Sequence, residues 1–202
     1  MKLYYTPGAC SMAAHIVLNE ANADFAIEKV DLAAKTTETG ADFTKVTTKG
    51  AVPALDLGDG EVLTEGAAIL QYLADRFPDA DLAPANGTLA RTRLQEMLTY
   101  ISSEVHKSFG PLFWPNSSDE IKGAFRGLLE KKFAHLNDIL ADGRAWLTGD
   151  KFTVADAYFF VMTAWAGHHK ISLDAWPNVG ALAGKIAGRE KVLQTLKAEG
   201  LA

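Results

Sequence analysis

With 202 residues and 48% hydrophobic side chains, the chain can bury one domain-sized core or two smaller ones. No apolar run approaches the roughly 18 residues a spanning helix needs, and the opening Met-Lys-Leu-Tyr-Tyr carries no apolar signal region, so a cytoplasmic protein with no membrane partner is expected. A net charge of -5, from 20 basic and 25 acidic residues without a cationic cluster, argues against nucleic acid as a partner.

The N-terminal part alternates strand and helix signals. Leu3-Tyr4-Tyr5 lies within a strand predicted over residues 2–5, Pro7-Gly8 marks a turn, and a helix begins at Ser11 with Met12, Ile16 and Val17 on its apolar face. Cys10, the one cysteine of the chain, therefore falls at a helix N-terminus. A single cysteine excludes an internal disulfide and leaves a mixed disulfide with a small thiol as its reversible oxidation. Two readings stand open for it: a small buried hydrophobe, or a thiol whose pKa is lowered by the helix dipole and by unsatisfied N–H groups.

Ala26–Asp31 reads as a second strand, followed by an irregular stretch and a strand over residues 54–57. Pro53, at the start of that strand, is either an ordinary edge proline or a cis proline that turns the backbone of Val52 outward toward an extended, peptide-like ligand. The run Leu57-Gly58-Asp59-Gly60-Glu61 signals a hairpin into the strand Val62-Leu63, and a helix over Glu65–Arg76 is predicted with Thr64 as its cap. Thr64-Glu65-Gly66 at that helix start is a capping sequence or an anion-binding one. The order is βαβ then ββα.

Pro78, Pro84, Asn86 and Gly87 punctuate a connector, beyond which only helices are predicted: 88–109, 118–141, 153–167 and 178–197, the last broken near Gly188. The expected domains are residues 1–80 and 87–202. Within the first of these helices, His106 adjoins a strip of small polar residues, Thr99, Ser102, Ser103 and Gly110, beside the stripe Leu94, Met97, Leu98, Ile101 and Val105. It is either a solvated surface histidine or, near Cys10, a group that accepts a proton from the thiol or hydrogen-bonds to it, with Lys107 adding positive potential. His168-His169 lacks further residues at metal-ligand spacing and reads as a pair of helix-terminal cations. Thr153 and Asp156 form a capping-box variant that should anchor the core. Phe109, Phe113, Trp114 and Trp165 are core aromatics or the lining of a hydrophobic pocket.

The segments KLYYTPGACS, Val52-Pro53, TEGAAILQYLAD at 64–75, SSEVHKSFGPLF at 102–113 and LTGDKFTVADAYFF at 147–160 together resemble the bacterial beta-class glutathione S-transferases, over the full length of the chain. The resemblance implies an α/β plus all-α architecture, with a thioredoxin-like glutathione-binding domain before an all-helical domain that carries the second-substrate pocket, in a homodimer. It implies glutathione as co-substrate, a hydrophobic electrophile as partner, no metal, and catalytic roles for Cys10 and His106. Lys35 is placed at the glycyl carboxylate, Val52 and Pro53 at the cysteinyl unit, and Glu65 and Gly66 at the γ-glutamyl end. Thr99 and the stretch Ser103, Glu104, Val105, His106, with Lys107 beside it, would reach the glutathione of the neighbouring subunit. Three positions depart from the family pattern: Thr99 replaces an asparagine, which shortens that contact, VTTKGAVP lacks an Asn-Pro, and Ala14 replaces a proline. A glutaredoxin-like thiol transferase and a non-catalytic ligand-binding protein of the same fold are the alternatives.

Overall fold

A computed structural model describes residues 1–202. Five strands, β1 (Lys2–Tyr5), β2 (Ala26–Asp31), β3 (Thr36–Thr37), β4 (Ala54–Asp56) and β5 (Val62–Thr64), form one sheet in the order β3-β2-β1-β4-β5. β1 is central and parallel to β2, with Leu3 level with Ile27, and antiparallel to β4, with Leu3 level with Leu55. Leu3, Tyr4 and Tyr5 are all buried, as a central strand covered on both faces requires. The short edge strand β3 lies in the stretch expected to be irregular; two residues carry too little alternation to register as a strand.

Helix α1 (Ser11–Glu20) is buried from Ser11 to Asn19, and it packs against α2 (Gly66–Arg76) and α8 (Glu190–Ala198). A helix covered all round must partner its polar groups internally. His15 does so through Nδ1 with Glu199 Oε1 at 2.9 Å, and Asn19 donates to Thr195 Oγ1 at 2.8 Å. The end of the chain thus belongs to the N-terminal unit. The two compact units are residues 1–83 with 188–202, and residues 84–187, whereas the helical domain was expected over 87–202. The break expected near Gly188 is real, and the segment beyond it returns to α1 because His15, Asn19 and Glu20 hold Glu199, Thr195 and Arg189.

The second unit holds α3 (Leu89–Tyr100), a segment of wider π-helical turns at Ile101–His106, α4 (Lys107–Phe113), α5 (Asp119–Ile139), α6 (Val154–His168) and α7 (Pro177–Ala187). Helix continues through Gly110 and Pro111 beyond the expected end at 109, because Pro111 and Leu112 are buried, and tertiary burial outweighs the local Gly-Pro signal. α6 is the buried centre. Its capping box forms as expected: Asp156 Oδ2 accepts from Thr153 N at 2.8 Å and Thr153 Oγ1 at 3.0 Å, while Oδ1 accepts from Leu147 N at 2.8 Å. No helix is long and apolar enough to cross a membrane.

Candidate active site

The β1–α1 loop is built to present Cys10. Gly8 takes φ +71, a left-handed value that glycine reaches without a Cβ clash, and Ala9 N donates to Thr6 O at 3.0 Å to close the turn. Thr6 Oγ1 donates to Val30 O at 2.8 Å, and the buried Ser11 hydroxyl accepts from Thr6 N at 3.2 Å. From the other side, Glu199 Oε2 accepts from Gly8 N at 2.9 Å. Cys10 is the N-cap residue of α1 and is half-buried, so the reading as a sealed core residue does not hold. Its Sγ donates to Val52 O at 3.2 Å. The carbonyl expected to face a ligand therefore accepts the hydrogen bond of the Cys10 thiol in this structure.

Val52-Pro53 is cis, so Pro53 is not an ordinary edge proline. Val52 is buried in a cluster with Tyr4, Val30, Phe43 and Ala54, against which Ala9 also packs. Glu65, not Thr64, caps α2: pairing of Ala54 with Thr64 draws Thr64 into the sheet. Glu65 adopts φ 70 and ψ 109, a conformation rare outside glycine and concentrated at functional sites. Its carboxylate meets Lys49 Nζ at 2.6 Å, both side chains being largely exposed. Lys35, also left-handed at φ 56, donates from Nζ to Gly50 O at 2.7 Å. Cys10, Val52, Pro53, Glu65, Gly66 and Lys35 thus all lie in the first unit.

The second unit carries the rest. Thr99, Ser103, Glu104 and Lys107 are exposed, whereas Val105 is wholly buried and can offer a ligand only its backbone. The Thr99 hydroxyl donates back to Gln95 O at 2.8 Å, and Ser103 donates to Thr99 O at 2.9 Å. Glu104 pairs with Lys132. His106 is not the solvated histidine of the simpler reading: Nδ1 lies 2.6 Å from Tyr158 Oη, and its ring meets Trp165 edge-on at 4.9 Å. Burial, with the charge of Lys107 added, pushes its pKa down to about 4, so the ring is neutral.

His169 departs from the expected helix-terminal cation. Burial first, then the charges of His168, Arg126 and Lys122, lowers its pKa, and its Nε2 is buried without a hydrogen-bond partner. Of the four aromatics, Phe109 and Trp165 are buried, while Phe113 and Trp114 are 45% and 59% exposed. Sequence reasoning missed Glu199, His15 and Tyr158. For His15 a signal existed, since His15 and Asn19 sit four residues apart in an otherwise apolar helix.

A βαβ-ββα sheet unit with a cysteine at the first helix start, a cis-proline loop and a strained Glu65, followed by a helical unit, defines a two-part thiol-handling architecture. Two family models match, glutathione S-transferase N-terminal domain over residues 8–76 and C-terminal domain over residues 67–181. The chain is 46% identical to glutathione S-transferase GstA of Escherichia coli O157:H7, with all of both chains covered. Among solved structures it is similar to a sphingomonad glutathione S-transferase complexed with glutathione, at 51% identity, TM-score 0.96 and full coverage of both chains. It is similar too to the bacterial beta-class glutathione S-transferase of Sphingomonas chungbukensis, at 50% identity, TM-score 0.96 and full coverage of both chains. The chain belongs to the glutathione S-transferase family and is a glutathione transferase.

Proposed function

We propose that the enzyme binds glutathione at its first unit, stabilises the thiolate and adds it to hydrophobic electrophiles, and that Cys10 also forms a reversible mixed disulfide with glutathione, as a member of the beta class. The observation that carries this reading is Cys10 Sγ at the start of α1, half-buried and 3.2 Å from Val52 O. The positive end of the helix favours a thiolate there, and the Val52 carbonyl, which accepts the thiol's hydrogen bond, loses that bond and is freed for the ligand when the proton leaves Sγ. Val52 then pairs through its backbone with the cysteinyl unit. Glu65 and Gly66 at the start of α2 hold the γ-glutamyl end, and Lys35 the glycyl carboxylate. His106 acts on the glutathione sulfur. Thr99, Ser103, Glu104 and Lys107, exposed on one stretch, form the contact with a second copy in a two-fold homodimer.

In conjugation, the glutathione sulfur forms a bond to the electrophilic carbon, and the leaving group departs with its electron pair. In the redox step, the Cys10 thiolate attacks the disulfide of oxidised glutathione; one glutathione leaves as thiolate and the other remains bound to Cys10. A glutaredoxin-like thiol transferase is the second reading, favoured by the same half-buried sulfur.

Mass spectrometry after treatment with oxidised glutathione should show one added glutathione, removable by reductant and absent in Cys10→Ala. An assay on a chloro-aromatic acceptor should show turnover that Cys10→Ala reduces without abolishing, because there the nucleophile is the glutathione sulfur. No adduct would overturn the mixed-disulfide role, and adduct without conjugation would favour the thiol transferase.

A further inference from the structure

His106 and Tyr158 are joined by one short hydrogen bond whose direction decides what the imidazole can do. The atoms Nδ1 and Oη lie 2.6 Å apart. Hydrogen bonds donated by N–H centre near 2.9–3.0 Å, whereas O–H donors reach roughly 2.5–3.0 Å, so the separation fits the phenol donating to the Nδ1 lone pair. The phenol is also the stronger acid of the two neutral groups. A neutral imidazole carries a single ring proton, which then sits on Nε2.

The surroundings hold this arrangement in place. Tyr158 is 3% exposed and lies two residues beyond Asp156, whose capping-box bonds fix the start of α6. The rings of Tyr158 and Trp165 stand edge-on to the imidazole, at 89° and 84°, so a ring flip would lose the bond to Tyr158. His106 ends the π-helical turns at Ile101–His106, an irregularity often found at functional sites. Nε2 is hydrogen-bonded to nothing within the chain and is not among the buried polar atoms that lack partners.

Resting on the reading that His106 acts on the glutathione sulfur, we propose that Tyr158 is a positioning residue that holds His106 with its proton on Nε2, so that the imidazole donates a hydrogen bond to the thiolate instead of taking the thiol proton. The thiol proton leaves to water, the sulfur keeps its electron pair, and Nε2–H stabilises the resulting charge. Neutrality of the ring down to about pH 4 keeps Nδ1 available as acceptor throughout the working range.

Nitrogen NMR of the ligand-free wild-type protein tests the assignment directly: Nε2 should carry the proton and Nδ1 should be bare. In Tyr158→Phe the two tautomers should mix. The thiolate absorbance of its glutathione complex should titrate about one unit higher, so that roughly tenfold less thiolate forms well below the midpoint. kcat at neutral pH should fall several-fold with KM for glutathione unchanged. A packing role alone would lower the thermal midpoint and leave the tautomer and the titration where they were. A proton on Nδ1 in the wild type, or a folded Tyr158→Phe with unchanged tautomer and titration, overturns the proposal. Should Tyr158→Phe fail to fold, the wild-type measurement still decides. Failure of the wild type to bind glutathione would overturn the functional reading and the donor role with it, while the nitrogen spectrum still reports the tautomer separately.

Discussion

Replacing Asp156 by alanine should destabilise the protein by an amount that depends on pH. The carboxylate is wholly buried and accepts three hydrogen bonds, from Leu147 N, Thr153 N and Thr153 Oγ1, at 2.8, 2.8 and 3.0 Å. Leaving these three donors unmet costs about 3–5 kcal/mol in all. Against this stands the cost of holding a buried charge: burial raises the Asp156 pKa from 3.8 to about 6. A shift of that size costs about 3 kcal/mol at pH 7, which the variant escapes. The raised folded pKa sets the sign. The stability this group contributes is fully present below the unfolded value of 3.8 and is lost as pH rises through about 6. Asp156→Ala should therefore lose about 0–2 kcal/mol at pH 7 and roughly 1 kcal/mol more at pH 5. Urea unfolding of both proteins at the two pH values measures this difference, and groups common to both cancel. A loss that shrinks or stays constant as pH falls would refute the reasoning, and so would a variant as stable as the wild type at pH 5.

Two more predictions rest on polar groups wholly or partly withdrawn from water. His106 has its pKa depressed from 6.5 to about 4, so the unfolded chain takes up the proton first as pH falls. About 3 kcal/mol of stability should be lost between pH 6.5 and 4 on this account; His106→Gln should flatten the acid limb of the stability curve, and an NMR titration midpoint near 6.5 would contradict it. Glu199→Ala removes the partner of His15, itself 2% exposed, and the acceptor of Gly8 N. The expected loss is about 2–4 kcal/mol, seen by calorimetry as a midpoint lower by roughly 5–10 °C; an unchanged midpoint would mean that the C-terminal segment does not anchor the Cys10 loop.

What the sequence determined by itself is local in its physics. The strand at Lys2–Tyr5, the helix start at Ser11 with Cys10 before it, and the Thr153-Asp156 box are written in hydrophobic spacing and in side chains that bond to backbone a few residues away. The family resemblance carried the two-part architecture, because its motifs are spread over the whole chain. Thr64 and Glu65 mark where local reasoning stops: either could cap α2, and cross-strand pairing with Ala54, which no nearby residue encodes, gives the position to Glu65. The tertiary structure alone decided the partners of His15, Asn19 and His106. These lie 184, 176 and 52 residues away, so no periodicity relates them. A solvated and a half-buried histidine look alike in sequence; only packing against Tyr158 and Trp165 removes much of the water that would let His106 take a proton near neutral pH.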